Sequence, residues 1–174
     1  TACLKAELLP TSTGPNLDNL APLVGVERLE AGKATAVIRF TLSAPRTSAT
    51  GIPEGTQVRT ADKRYFKTEK YAEILPGELT VDVVAVADEA GSNSDGIAEG
   101  EINVLVDPIP YVSGAKSVSA STGGTDTEGD DSFTRRINYA PSIFSVAGPV
   151  DAYEYFASSW RSDVADTKIV CKEG

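Results

Sequence analysis

Histidine is absent from all 174 positions. With it goes every chemistry that needs an imidazole: Ser-His-Asp and Cys-His nucleophile activation, His-ligated zinc and ribonuclease-type acid–base pairs. Methionine is absent too, even from the first position, where Thr1 stands, so the sequence reads as a piece of a longer polypeptide, and no basic stretch leading into an apolar core marks a secretory signal within it. Cysteine is limited to Cys3 and Cys171, too few for a zinc cluster or a disulfide scaffold. Free thiols in a reducing compartment are favoured over a bridge between them. Aromatic residues make up 7% and nowhere cluster as the floor of a sugar cleft. The longest strongly apolar stretch, Val83 to Ala87, is far short of the ~20 residues of a membrane-spanning helix.

What remains is an ordinary globular composition, 41% hydrophobic and 24% charged, long enough for one domain or two small ones. The net charge of −9 is unevenly placed: Glu78 to Asp131 holds twelve acids against one base, Lys116, whereas Ala21 to Lys70 holds nine bases against five acids. An acidic surface disfavours nucleic acid. Opposed charged faces suit docking between neighbouring subunits, the alternative being that both are solvated surface.

Leu17, Leu20, Leu23 and Val24 fall at helical spacing and predict a helix over 16–24 that Gly25 stops. Ala34 to Leu42 alternates, predicting a half-buried strand with Ala36, Ile38, Phe40 and Leu42 inward. Short strands follow near 56–60 and from Tyr65, and the pair 70–75 and 79–87, separated by Pro76-Gly77, reads as a hairpin. Asp88 to Gly100 is a polar loop, 102–106 a strand, 107–110 a proline-rigid connector and 111–120 extended chain. The character changes at Ser121. Thr125-Asp126-Thr127-Glu128 matches a capping box, predicting a helix with acids at its start, Arg135 and Arg136 toward its end, and Phe133 and Ile137 on its buried side. Pro141 closes that helix. Gly148-Pro149 opens another, with Val150, Tyr153, Phe156 or Ala157, and Trp160 as its apolar stripe, and 164–171 reads as a final strand.

Candidate ligand sites are weak. Asp88 to Gly96 has the oxygen donors a calcium loop needs, but not the glycine and glutamate at the required positions. Asp126, Glu128, Asp130 and Asp131 invite a magnesium or glycosidase reading, yet the cap already uses them and no aromatic-lined cleft accompanies them. Gly123-Gly124 lacks the Lys-Ser/Thr of a phosphate loop.

Taken in order, the residues resemble the baseplate J-like proteins of contractile phage tails, contractile bacteriocins and related injection systems. The resemblance runs from about Gly25 to Ile169 and is carried by Gly25-Val26-Glu27-Arg28, Ile52-Pro53-Glu54-Gly55-Thr56-Gln57-Val58, Tyr65-Phe66-Lys67-Thr68, Gly91-Ser92-Asn93 and Asp107-Pro108-Ile109-Pro110-Tyr111-Val112. Its most specific part is Gly123-Gly124-Thr125-Asp126-Thr127-Glu128, with Asp130-Asp131, Arg135-Arg136-Ile137, Gly148-Pro149 and Ala152-Tyr153 after it. The resemblance implies a structural wedge component repeated around the tail axis, acting in assembly of the tail baseplate within the host bacterial cytoplasm. It implies no catalysis and no cofactor, and its partners would be other wedge proteins and copies of the same chain.

The expectation is therefore an α+β protein, with an antiparallel β-rich module over 1–120, including a short N-terminal helix, and a small α/β module with two helices over 121–174. The residues expected to matter for assembly are Gly123, Gly124, Thr125, Asp126, Glu128, Arg135, Arg136, Gly148 and Pro149, with Asp88, Glu89 and Asp95 as a possible subunit interface. The rival reading is a β-sandwich adhesion or ligand-binding module; an enzyme working through carboxylates alone is more distant.

Overall fold

The computed structural model describes residues 12–141 and 150–164. The expected strand at 164–171, the Gly148-Pro149 helix start and both cysteines lie outside those residues, apart from Val164 itself. The protein is α+β, with a β-rich body of antiparallel strands and a few helices.

The strands are β1 (Thr35–Leu42), β2 (Thr50–Ile52), β3 (Gln57–Thr60), β4 (Tyr65–Thr68), β5 (Ala72–Ile74), β6 (Thr80–Ala87), β7 (Ile102–Leu105) and β8 (Val112–Ser117). Six form one antiparallel sheet in the order β7-β3-β4-β6-β1-β8. The sheet curls until its edges approach: the Gly100 N–H, just before β7, donates to the carbonyl of Ser117 at 3.0 Å and to its hydroxyl at 2.8 Å, at the end of β8. Curvature is assisted by register shifts at Thr41/Leu42 and Arg59/Thr60, since an extra residue on one strand bends it. The result is a near-barrel.

Alternation fixes what lies inside. β1 buries Ala36, Ile38, Phe40 and Leu42 and turns Thr35, Val37, Arg39 and Thr41 outward, as its sequence predicts. Val58, Phe66, Val83, Ala85, Ala87 and Ile102 complete the filling with Ile52 and Ile74.

One expected pairing is overturned. The segment before Pro76-Gly77 does not form a hairpin with β6; β5 pairs with β2 in a separate two-stranded ribbon, Thr50↔Ile74 to Ile52↔Ala72. β6 pairs along its length with β1 and, over 85–87, with β4.

The barrel unit runs Gly32–Thr125, and the described residues before and after it form a second unit. In that second unit α1 (Pro15–Leu20) passes into a 3₁₀ turn (Ala21–Val24), which Gly25 ends in the left-handed conformation at φ 73°, as the sequence predicts. Helix α2 (Asp130–Tyr139) and helix α3 (Val150–Ser158) follow the barrel in sequence. Leu17, Ala21 and Val26 share one buried cluster with Phe133, Ile137 and Ala140, with Tyr155 against it. The expected stripe of α3 is not the covered side: Tyr153, Phe156, Ala157 and Trp160, just beyond its end, are exposed, and Tyr155 packs instead. Periodicity identifies an apolar face but not whether a neighbour covers it.

Candidate assembly interface

The glycines and threonine of the 123–125 motif close the barrel unit at the end where it begins. Gly32 and Thr125 form a reciprocal bridge, the Gly32 N–H donating to the Thr125 carbonyl at 2.8 Å and to its hydroxyl at 3.1 Å, and the Thr125 N–H returning to Gly32 O at 3.2 Å. Gly124 lies so close to the 88–96 loop that a Cβ there would stand 2.7 Å from the carbonyl oxygen of Gly91. Its N–H donates to Asp95 Oδ1 at 3.0 Å. The structure thus brings Asp95, from the acidic loop, onto the double-glycine motif. Gly123 has φ 94°, a conformation glycine adopts without strain.

The capping box does not form. Helix α2 starts at Asp130 with Gly129 at its cap and no side-chain capping bond. Glu128 is instead buried and committed elsewhere: Oε1 pairs with Arg136 Nε at 3.1 Å and accepts from Ser132 Oγ at 3.1 Å, while Oε2 accepts from the Leu29 N–H at 3.2 Å. Arg136 also donates to the Glu27 carbonyl. Thr125, its presumed partner in the box, is spent on Gly32. Asp126 and Arg135 are exposed, and the Asp126 carbonyl accepts from Ser162 Oγ at 2.7 Å. The acids of 126–131 therefore do not converge on one point. Among the described residues no group of three His, Cys, Asp or Glu side chains is placed to hold a metal ion.

Arg28, which the sequence offers only within the Gly25-Val26-Glu27-Arg28 stretch and not as a candidate site residue, organises the second unit. It pairs with Asp18 and with Asp130, each at 2.8 Å, donates to the Glu128 carbonyl at 2.7 Å and lies 4.6 Å from the Phe133 ring centre. A hydrogen bond from the Gly14 N–H, and then the Arg28 guanidinium, hold the Asp130 carboxyl below its ordinary pKa.

The acidic and basic stretches of sequence meet in part within the sheet. Strands β1 and β4 of the basic stretch flank β6 of the acidic one. Arg39 of β1 lies opposite Asp82 of β6 and grips it with two 2.7 Å hydrogen bonds, and Lys67 of β4 reaches Asp88 at 2.7 Å. These contacts depress both carboxyl pKa values, Asp82 through its bonds to Arg39 and Asp88 through its bond to Lys67. Two of the acids of 78–131 are thereby neutralised by bases of 21–70 on adjacent strands. Of the three acids expected at an interface, Asp88 is held by Lys67 and Asp95 by Gly124. Glu89 makes neither an ion pair nor a side-chain hydrogen bond among the described residues; it lines a polar cleft of about 420 Å³ with Asp62, Lys63, Arg64, Tyr65, Asp88 and Asn93. The partners of Lys67 and Asp88 could have been guessed from charge, but the contact of Gly124 with Asp95 leaves no sequence signal.

A curled six-stranded antiparallel sheet whose last segment returns through the double-glycine motif to the start of its first strand defines a small β-barrel domain. The sequence profile of the baseplate J-like protein barrel domain matches residues 37–124, just over half of the chain, and the chain belongs to that family. Among solved structures it is similar to a chain of the cryo-EM structure of the anti-feeding prophage (AFP) baseplate, 6-fold symmetrised, at 13% identity and a TM-score of 0.50, over 71% of this chain and 40% of that one. At that identity the likeness speaks to the fold. The chain spans well under half the length of that neighbour. No curated protein matches it.

Proposed function

We propose that this chain is part of a structural component of a contractile-tail baseplate wedge, of phage or prophage-like origin, which acts in tail assembly beside other wedge proteins and copies of itself. The observation that carries the reading is the family match over 37–124, because it coincides with the barrel from β1 to the double-glycine closure. The chemistry of the side chains fits a scaffold: Glu128, Asp130, Asp82 and Asp88 each serve a fixed basic or backbone partner. The reading calls for no catalytic step and no cofactor, and places the protein in the tail baseplate, assembled in the cytoplasm of the host bacterium. Within it, the loop over 88–95 contributes to a subunit contact, with Glu89 as its free charge.

The test is to delete the gene in a strain that produces contractile particles and to quantify the protein in purified wild-type particles by mass spectrometry. The expected result is a fixed stoichiometry in the baseplate fraction, and tails without functional baseplates in the deletion strain. Recovery of the protein on the cell surface, with normal particles in its absence, would instead favour an adhesion module.

A further inference from the structure

The barrel end remote from the double-glycine closure is built from three loops tied together by backbone bonds. Leu42 N–H donates to Leu79 O at 2.8 Å, Ser43 N–H to Tyr111 O at 3.0 Å and Gly77 N–H to Arg46 O at 2.8 Å. This rim exposes large apolar side chains: Leu75 is 53% exposed, Leu79 44% and Tyr111 59%. Between Arg46, Gly51, Ile109 and Tyr111 lies an open cleft of about 240 Å³.

Tyr111 is held there at a cost to the fold. Val112 N–H donates to Ile109 O at 3.1 Å, closing a four-residue turn with Pro110 second and Tyr111 third, and Tyr111 has φ 71°. The third position of such a turn favours glycine, because a Cβ crowds the backbone at positive φ. The Arg46 guanidinium lies 3.4 Å from the Tyr111 ring centre, while its buried Nε has no hydrogen-bond acceptor. A strained residue carrying a large, mostly exposed ring, propped by an incompletely satisfied arginine, gives the fold little in return. Strain of this kind collects where a surface is used, and tyrosine and arginine are the side chains that anchor protein interfaces.

We propose that this rim is a docking surface, anchored by Tyr111 and Arg46, for a different protein that presents an apolar pocket bordered by lysine or arginine. Charge selects the occupant. Glu78 and Asp107 are exposed at the rim and form no ion pair among the described residues, and Arg46 is spent on the Tyr111 ring. A second copy of this chain, with its net charge of −9, brings like charge to like, whereas a basic partner is steered to the rim. The inference rests on the baseplate reading for where the partner is found.

The experiment places the photo-crosslinking residue benzoylphenylalanine at position 111 of the full-length protein in producing cells, and identifies the crosslinked peptide in purified particles. The expected product joins position 111 to a segment of another particle protein with Lys or Arg beside apolar residues. Crosslinking from position 79 should fall by about tenfold when Glu78→Lys and Asp107→Lys are combined, and stay unchanged with Lys63→Glu at the opposite end. Tyr111→Gly should abolish the same crosslink while leaving the melting temperature equal or higher. A crosslink to a second copy, no crosslink from a protein incorporated in particles, or a lowered melting temperature in Tyr111→Gly with crosslinking at 79 intact would overturn the docking rim. Absence of the protein from the particles would overturn the baseplate reading as well.

Discussion

Glu128 and Arg136 meet at 3.1 Å with their side chains 0% and 3% exposed. Removing one member of a buried pair strands the other charge without water, at about 3–5 kcal/mol. Glu128→Ala should therefore be among the most destabilising single changes outside the barrel. Replacing both residues by apolar ones should cost less than the two single changes summed, because neither charge is then left alone. Chemical denaturation of the two single variants and the double variant measures the difference.

The crossing at Gly124 is equally exacting. A methyl group there would stand 2.7 Å from Gly91 O, 3.1 Å from the Asp95 Cβ and 3.2 Å from the Ala34 Cβ, so backbone must move. Gly124→Ala is expected to destabilise the barrel by about 1–3 kcal/mol, the range for overpacked sites. Gly114→Ala on β8, where a Cβ meets nothing within 4 Å, should be neutral or slightly stabilising, since alanine narrows the unfolded ensemble. Paired thermal melts of the two variants separate a close backbone approach from a general intolerance of alanine.

Phe133 is fully buried among Leu17, Ala21 and Ile137, with Arg28 4.6 Å and Arg136 5.8 Å from its ring centre. Phe133→Ala removes both the packing and the face those cations rest on, an expected loss of about 3–5 kcal/mol. Hydrogen exchange should then show α1 losing protection together with α2. Barrel amides that keep wild-type protection would show that the two units open separately.

The sequence was most legible where the signal was local. Alternation through Ala36, Ile38, Phe40 and Leu42 predicted β1 and its inward face, and Gly25 predicted a helix stop. It was silent where partners are distant. Pairing of β3 with β7 and of β1 with β8 depends on how the sheet curls, and α1 with α2 joins segments more than a hundred residues apart. The 70–75 and 79–87 hairpin failed because a local turn signal cannot report that β5 finds its partner in β2, some twenty residues earlier. The capping box failed because Glu128 finds a better partner in Arg136, two turns along α2. The charge blocks carry no pairing information for a similar reason: segments far apart in sequence become adjacent strands, as those of Arg39 and Asp82 do.

Three carboxyls have depressed pKa values: Asp130 through the Gly14 N–H and Arg28, Asp82 through Arg39 and Asp88 through Lys67. A carboxyl whose folded pKa lies below its unfolded value of 3.8 binds its proton more readily when unfolded. It therefore contributes stability above the unfolded pKa and loses it as pH falls through the folded one. The melting temperature should hold steady at neutral pH and fall below about pH 4. Asp130→Asn should lower it at neutral pH and flatten the acid limb, so that the two curves converge at the lowest pH. Parallel curves would mean that Asp130 acts through packing instead of charge. Because these groups are exposed, salt should shrink the effect.

The loop over 88–95 separates a role in the fold from a role in assembly, because its three acids are engaged differently. Asp88 is 2.7 Å from Lys67, Asp95 accepts from Gly124 at 3.0 Å, and Glu89 has no ion-pair partner among the described residues. Asp95→Ala removes the acceptor of a partly buried N–H and should cost about 1–3 kcal/mol. Glu89→Lys touches no such bond and should change stability by no more than about 0.5 kcal/mol. If the loop meets a neighbouring subunit, Glu89→Lys should nonetheless reduce recovery of the protein in purified baseplates, and Glu89→Gln should reduce it less. Normal incorporation of Glu89→Lys would remove the loop from the interface and leave Asp95 and Gly124 as parts of the barrel's closure alone.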